Sequence, residues 1–472
     1  MGAGDAPCVS RMFSVLTDKD FRWFSAGYLT SKLGSAMAPI AIAFAVLHTG
    51  VGAGGLGWVM AARIVPLVLL LLFGGVWSDR LGGRKVMIAS DLLRCAAQAA
   101  FAVLLLTGHA TVATMVVVSV FSGIGEGVFN PSLQALVPRL IPADRRHDAN
   151  ALLNVAMSSA GVAGPALGGL IAALAPGAAG PATVLFFDAA SYAVSIAVLF
   201  RLRHVPQPEP GESSSLIRDL REGWQEFRSR AWLWTTTVQL ALFNALVWAP
   251  YLVLGPVVAE HRLGGAGAWG LVVAANSAGS ILGGLALLGR KPRRPFLLSV
   301  LALFGYVLTP ALLASSLPLP WVCAAAAGTG IGGSVGGTLA NTVMQRRVPI
   351  EMMGRLSAYQ MVVAFGLGPI GLVVAGPLAS AFGMSAFFTF GAVLQFTTVL
   401  AILALPSVRR LDLEDEDLSE PSATVAETVI EAESPVTEST ATDSPATELT
   451  ATASTATAST VLEAEPSAPS PA

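Results

Sequence analysis

Gly74-Gly75-Val76-Trp77-Ser78-Asp79-Arg80-Leu81-Gly82-Gly83-Arg84-Lys85 places one acid, three cations and four glycines between two long apolar runs. Glycines permit a tight chain reversal, the acid stands at the end of the preceding run, and cations in a short connection hold it on the cytoplasmic side of a membrane. The flanking runs, at about 55–78 and 86–107, are each long enough to cross a hydrocarbon core of about 30 Å as a helix. The stretch therefore reads as the basic turn of a transmembrane helical hairpin.

The rest of the chain repeats that plan. With 54% hydrophobic and only 12% charged residues and a mean hydropathy of +0.66, it carries too much apolar surface for a water-soluble globule. A window of about 19 residues predicts twelve spans, at about 21–47, 55–78, 86–107, 110–137, 150–175, 181–202, 231–258, 267–289, 295–316, 319–345, 354–382 and 383–406. The last two share one apolar run divided near Ala381-Phe382-Gly383. The expected fold is all-α and polytopic: twelve transmembrane helices in two pseudo-symmetric six-helix bundles.

With a cytoplasmic start, 24 of the 28 basic residues fall in inner segments, among them Arg139, Arg145 and Arg146, Arg290 to Arg294, and Arg346 and Arg347. Outer connections hold only Arg262, so both termini are expected in the cytosol of a cell with the protein in its plasma membrane. The basic residues alternate with spans and lack interleaved aromatics, which argues against nucleic-acid binding. Cys8, Cys95 and Cys323 are too widely spaced for a zinc site or a disulfide framework. Residues 1 to 20 lack the apolar core of a cleavable signal.

Residues 1–20 read as a cytoplasmic N-terminus and 21–202 as the first six-helix bundle. The polar stretch 203–230 reads as a cytoplasmic linker whose Leu216, Leu220, Trp224 and Phe227 recur at helical spacing, laying an apolar stripe on the membrane interface. The second bundle is 231–406. An internal repeat supports the division: Asn130…Gln134, Val137-Pro138 and Gly164-Pro165 recur in order as Asn341…Gln345, Val348-Pro349 and Gly368-Pro369. From 407 to 472 the chain turns to Ser, Thr, Ala, Pro and Glu, and 14 of its 30 acids follow Arg410. Such a tail cannot bury a core and is expected to be disordered.

Two enzyme-like matches fail on context. Gly332-Gly333-Ser334-Val335-Gly336 and Gly328-Thr329-Gly330-Ile331-Gly332-Gly333 require a strand, a turn and a helix, but they lie inside an apolar span, where small residues let helices approach closely. None of Lys19, Lys32, Lys85 and Lys291 follows a glycine, so a nucleotide-binding G-K-[ST] is absent. No enzyme, metal site or cofactor is expected, and an ion gradient is the expected energy source.

The turn that begins at Gly75 resembles the G-x-x-x-D-R-x-G-R-[RK] signature of the major facilitator superfamily, with one extra residue between Gly82 and Arg84. The resemblance implies that Gly75, Asp79, Arg80, Gly82, Arg84 and Lys85 form a conformational latch, with Asp79 facing the positive helix end marked by Gly354 and Arg355. Gly164-Pro165-Ala166-Leu167-Gly168-Gly169 is similar to the family's antiporter motif through Gly164, Pro165, Gly168 and Gly169, with Ala160 in place of a further glycine. With Ala61 to Pro66, Asn130-Pro131 and Phe187-Asp188-Ala189, these features resemble the branch of macrolide-efflux and enterobactin exporters, across about residues 20 to 406. The resemblance implies alternating access and proton-coupled export of a small amphipathic molecule, with protons, lipids and a small-molecule substrate as partners and a monomeric state. An importer or lipid transporter of the same fold, and a receptor or scaffold using the acidic tail, stay open as alternatives.

Ionisable residues inside a bilayer are costly and by default functional. Lys32, Arg63, Arg94, Asp91, Glu126 and Asp188 are all placed there, and all lie in the first half. Asp91 and Arg94, three residues apart, are spaced to neutralise one another. Glu126, among Gly123, Gly125 and Gly127, has nothing nearby in sequence to pair it. Desolvated carboxyls exchange protons near neutral pH, so Glu126 is the first candidate for proton carrier and Asp188 the second. Lys32 and Arg63 are candidate pairing or substrate-orienting cations, and structural ion pairing of all four is the competing reading. Asn130, Asn341, Gln134, Gln345, Asn244 and Asn276 are candidate hydrogen-bonding groups for a substrate, or polar glue between helices.

Overall fold

The computed structural model describes residues 14–202, 224–225, 227–348 and 350–405; the side chains of 71–80, 143, 350, 351, 354, 355 and 358 lie outside the description. So do the tail 407–472 and, in the linker, Leu216 and Leu220. Among the described residues, twelve helical spans are long and apolar enough to cross a membrane, and there is no strand. In the first half these are α1 (Lys19–His48), α2 (Gly52–Leu81), α3 (Gly83–Leu106), α4 (Val112–Leu140), α5 (Arg146–Leu174) and α6 (Ala179–Arg201). The second half comprises α7 (Ala231–Leu263), α8 (Gly265–Leu287), α9 (Pro295–Ala314), α10 (Leu319–Arg347), α11 (Ile350–Gly366 with Gly368–Phe382) and α12 (Met384–Ala404).

Local chemistry sets the ends. Asp18 accepts a hydrogen bond from the Phe21 N–H at 2.9 Å to start α1, and Thr111 and Thr114 cap α4 reciprocally. Gly82 alone joins α2 to α3 at φ +86°, and Gly383 alone joins α11 to α12 at φ +90°, a conformation open to glycine and strained for other residues. Three spans of the second half are irregular. In α7 the Ala249 N–H reaches back five residues to the Asn244 carbonyl, forming a π segment at Asn244–Trp248 just before Pro250, which has no N–H to give. α9 breaks at Leu303 and Phe304, seven and six residues before Pro310, and α11 breaks at Leu367, two residues before Pro369. The Leu303 carbonyl at the α9 break accepts a hydrogen bond from Gln395 of α12 at 3.2 Å, which keeps a polar group satisfied at membrane depth.

Packing repeats with a shift of six spans. α2 packs on α4 as α8 packs on α10; α1 on α5 as α7 on α11; α3 on α4 and α6 as α9 on α10 and α12. Contacts between halves follow the same rule, α5 against α8 and α11 against α2. Side chains such as Trp58, Leu174, Leu288 and Phe382 are exposed on this bundle, as lipid-facing residues are.

The apolar core shows which side is closed. One buried cluster joins the halves, running from Ala38–Val46 of α1 and Leu56 of α2 to Val253–Leu254 of α7, Trp269 of α8 and Leu372 of α11. It lies toward the face opposite the basic turns. Toward the basic face it is replaced by two separate clusters, one around Phe21, Phe129 and Leu199, the other around Phe227, Phe296 and Val399. The halves are sealed at one face and have independent cores at the other.

Candidate substrate and coupling site

The six ionisable residues expected within the bilayer sit on α1, α2, α3, α4 and α6 of the first half. α6 carries Asp188, Ser191, Tyr192 and Ser195 at spacings of three and four, which places all four on one helix face. Glycines bring the neighbouring helices close. A Cβ at Gly34 would meet Asp188 and Ser191, one at Gly125 would meet the Arg94 side chain, and one at Gly123 would overlap the Arg63 carbonyl oxygen. The glycines that leave Glu126 without a sequence neighbour thus let α2 and α3 approach α4.

That approach supplies partners. Arg63 of α2 donates to Glu126 Oε2 from Nε at 3.1 Å and from Nη2 at 2.9 Å. Glu126 is 30% exposed and Arg63 14%, so the pair lies at the edge of the protein interior. Arg94 pairs with Asp91 one turn away, both buried, and Ser195 donates to the other Asp91 oxygen at 2.7 Å. The Arg94 guanidinium is held between the rings of Phe129 and Tyr192, 4.3 Å from each centre, a favourable cation–π arrangement. Tyr192 in turn hydrogen-bonds Ser35 of α1 at 2.9 Å.

Two charges are left over. Lys32 lies over Phe129 at 5.3 Å and Tyr28 at 5.5 Å and has no ion pair among the described residues. Asp188 is completely buried, and among the described residues neither oxygen has a partner in hydrogen-bond geometry, although Tyr192 lies alongside and Arg94, Arg63 and Glu126 act on it through their charges. Glu126, which has nothing nearby in sequence to pair it, finds its partner 63 residues away on another helix, and among the described residues the acid whose carboxylate lacks a hydrogen-bond partner is Asp188. Ser195, Tyr192, Ser35 and Phe129 were not among the expected site residues; the polar face of α6 is the signal that would have found the first two.

The signature turn is partly visible. Gly75, Asp79 and Arg80 fall in the last turns of α2, and their side chains, with those of Gly354 and Arg355, lie outside the described residues. Arg84 donates to the carbonyls of Leu199 and Phe200 at 2.7 and 2.9 Å, tying α3 to the negative end of α6, and Lys85 is exposed. The Gly164 to Gly169 motif presents two faces: Gly164 and Gly168 abut Ala36 and Met37 of α1, while Pro165 and Gly169 abut Gly270 and Ala266 of α8 in the other half. Asn130, one turn past Glu126 on α4, is half-buried; Asn341, Gln134 and Gln345 are exposed. Asn244 is buried and donates to the Leu240 carbonyl, and Asn276 donates to the Ala326 carbonyl.

Residues 24–371 match the sequence model of the Major Facilitator Superfamily. The chain belongs to this superfamily. It is similar to the multidrug efflux pump Tap of Mycolicibacterium fortuitum, with 28% identity over 400 residues, 82% of this chain and 95% of that protein. It is also similar to macrolide efflux protein A of Streptococcus pyogenes, with 24% identity over 82% of this chain and 92% of the relative. In fold it resembles the nucleoside transporter NupG, with a TM-score of 0.64 at 13% identity over 82% of this chain and 98% of the other. A bacterial homologue of the iron transporter ferroportin in an inward-facing state gives 0.64 at 15% identity over 84% and 98%. As a member of the Major Facilitator Superfamily the chain is a multi-pass membrane transporter of a small molecule, and its work is transport, not catalysis.

Proposed function

We propose that this Major Facilitator Superfamily member is a proton-coupled exporter of small amphipathic molecules in the cell membrane, acting as a monomer with both ends in the cytosol. The distribution of basic turns supports that orientation, and export is supported by the efflux pumps among its relatives. On this orientation the sealed face is the exterior, and the two separate inner cores belong to an inward-facing state that loads substrate from the cytosol or the inner leaflet.

The observation that carries the coupling is Asp188. A carboxylate removed from water with neither ion pair nor hydrogen bond is strongly disfavoured unless it is neutralised, so we assign the transported proton to Asp188 in this state. Glu126, part-exposed and already held by Arg63, takes the second role: its pair is the polar contact offered to an amphipathic substrate. Lys32, which lacks an acid partner among the described residues, and the Arg94–Asp91 pair share the first half with Asp188 and supply the charges around it. Asp79 of the signature turn latches the opposite, outward-facing state.

The test is export of a fluorescent amphipathic dye, ethidium, from energised cells or inverted vesicles, with and without an uncoupler. Wild type should lose concentrative export when uncoupled, and Asp188→Asn should lose it without uncoupler. Export that survives both changes would overturn proton coupling through Asp188.

A further inference from the structure

The second half of the bundle holds a recess that the charged cluster does not explain. It lies at mid-depth between α7, α8, α9 and α10, and in this state its side chains close in until only about 10 Å³ is free, room for about one water. Its walls are the rings of Phe243, Trp248, Tyr251 and Tyr306. Phe243 and Tyr306 lie 4.3 Å apart by ring centres, and Trp248 stacks on Tyr251 at 5.2 Å and 25°. Its polar groups are neutral: Asn276, Thr309 and Thr329.

The backbone around it is irregular where the recess lies. The π segment Asn244–Trp248 ends on one wall residue, and the α9 break at Leu303 and Phe304 comes two residues before another, Tyr306. Irregular backbone at membrane depth is tolerated where it lines a cavity, π segments recur at functional sites, and discontinuous helices mark substrate sites in transporters. A regular helix through 244–248 would rotate Trp248 away from Phe243, so the extra residue in the turn is what assembles the aromatic wall.

The chemistry of the wall selects its occupant. Thr309 and Thr329 hydroxyls bond each other at 2.7 Å, and Thr329 also bonds the Gly305 carbonyl. Asn276 spends its amide N–H on Ala326, which leaves its side-chain oxygen for a donor. Among the described residues no Asp, Glu, His, Lys or Arg lines the recess, and the six in-bilayer charges all lie in the other half. Flat faces stack a flat aromatic group; they also attract a cation, but with no acid on the wall a desolvated cation would have only the rings to offset its lost hydration, so the uncharged group is favoured.

We infer that this recess is the subsite for an uncharged, flat aromatic portion of the transported molecule, with one hydrogen-bond donor directed at Asn276. The inference rests on the export reading for the rest of the molecule, whose polar end the Arg63–Glu126 pair takes. The recess is narrow in the state described, and Trp248 and Tyr306, both part-exposed, are the walls free to turn and widen it.

The test uses the full chain in lipid nanodiscs with N-phenyl-1-naphthylamine as a neutral probe and tetraphenylphosphonium as a cationic one, empty nanodiscs being subtracted. Trp248→Ala and Tyr306→Ala should each weaken naphthylamine binding about tenfold, while Trp248→Phe and Tyr306→Phe stay within about threefold. A measurement that needs no variant is photolabelling of the wild type by a neutral phenyl diazirine: label on 243–251 and on Tyr306 should be displaced by the naphthylamine. Unchanged naphthylamine binding in both Ala variants, label that is not displaced, or loss of only the cationic probe would each overturn the inference. Export is read separately with the Asp188→Asn experiment, so a subsite that fails leaves the coupling assignment standing, and failed coupling leaves binding at the recess standing.

Discussion

Gly57 of α2 lies so close to the Leu372 carbonyl oxygen of α11 that a Cβ at position 57 would overlap it. The contact belongs to a set that crosses between halves: Gly376 against Gly54, Gly169 against Ala266, and Gly270 against Pro165. The seal on this face is made by backbones in contact, which suits a bilayer, where helices gain little from the hydrophobic effect and much from close packing.

Packing should therefore outweigh charge at the seal. His48 and Glu260 approach across the same face at 3.9 Å, but both are about a third exposed, and such pairs contribute little. Glu260→Gln is expected to change transport by no more than about threefold, whereas Gly57→Val should hold the halves apart. Electron-paramagnetic distances between labels at His109 and Leu317 should gain a longer population only in Gly57→Val.

Asp91 and Asp188 should separate stability from coupling. Asp91→Asn leaves the buried Arg94 without its counter-charge and should lower thermal stability by about 3–5 kcal/mol. Asp188→Asn removes no hydrogen bond or ion pair and should fall within about 1 kcal/mol of wild type while abolishing uncoupler-sensitive export. Melting curves in detergent read the first, and vesicle transport the second.

The Arg63–Glu126 pair predicts a coupled cycle. Arg63→Ala or Glu126→Gln alone leaves a charge unpaired at the edge of the interior, and the double variant removes both. The coupling energy from the four melting curves should be about 1–3 kcal/mol; a value near zero would mean that the two-donor contact at Glu126 Oε2 is not held in the membrane.

Orientation has a direct measurement. In a cysteine-free background, a thiol at Lys85, exposed beside the Gly82 turn, should react only with reagent supplied from the cytosol, and one at Val51, exposed after α1, only from outside. The reverse pattern would invert the proposed direction of transport.

Much of the architecture was legible in the chain because hydropathy is read one window at a time: a bilayer demands about twenty apolar residues per helix wherever the helix sits. The twelve spans, the glycine turn before α3, the division of the last apolar run at Gly383 and the family signature were all readable before any contact was known. The break in α11 had a visible cause in Pro369. The π segment of α7 did not, because the i−5 bonds near Pro250 are one of several ways to accommodate that residue.

The sequence by itself determined that this is a lipid-embedded bundle with six charges in one half and none at mid-depth in the other. The Asp91–Arg94 pair, on one helix, was legible from its spacing; only the tertiary structure decided how the charges on separate helices divide, giving Arg63 to Glu126 and leaving Lys32 and Asp188 without an ion pair among the described residues. The physical reason is that burial in lipid is a sum over neighbours along the chain, whereas an ion pair depends on the rotation and tilt of two helices, which their packing sets and neither segment encodes alone.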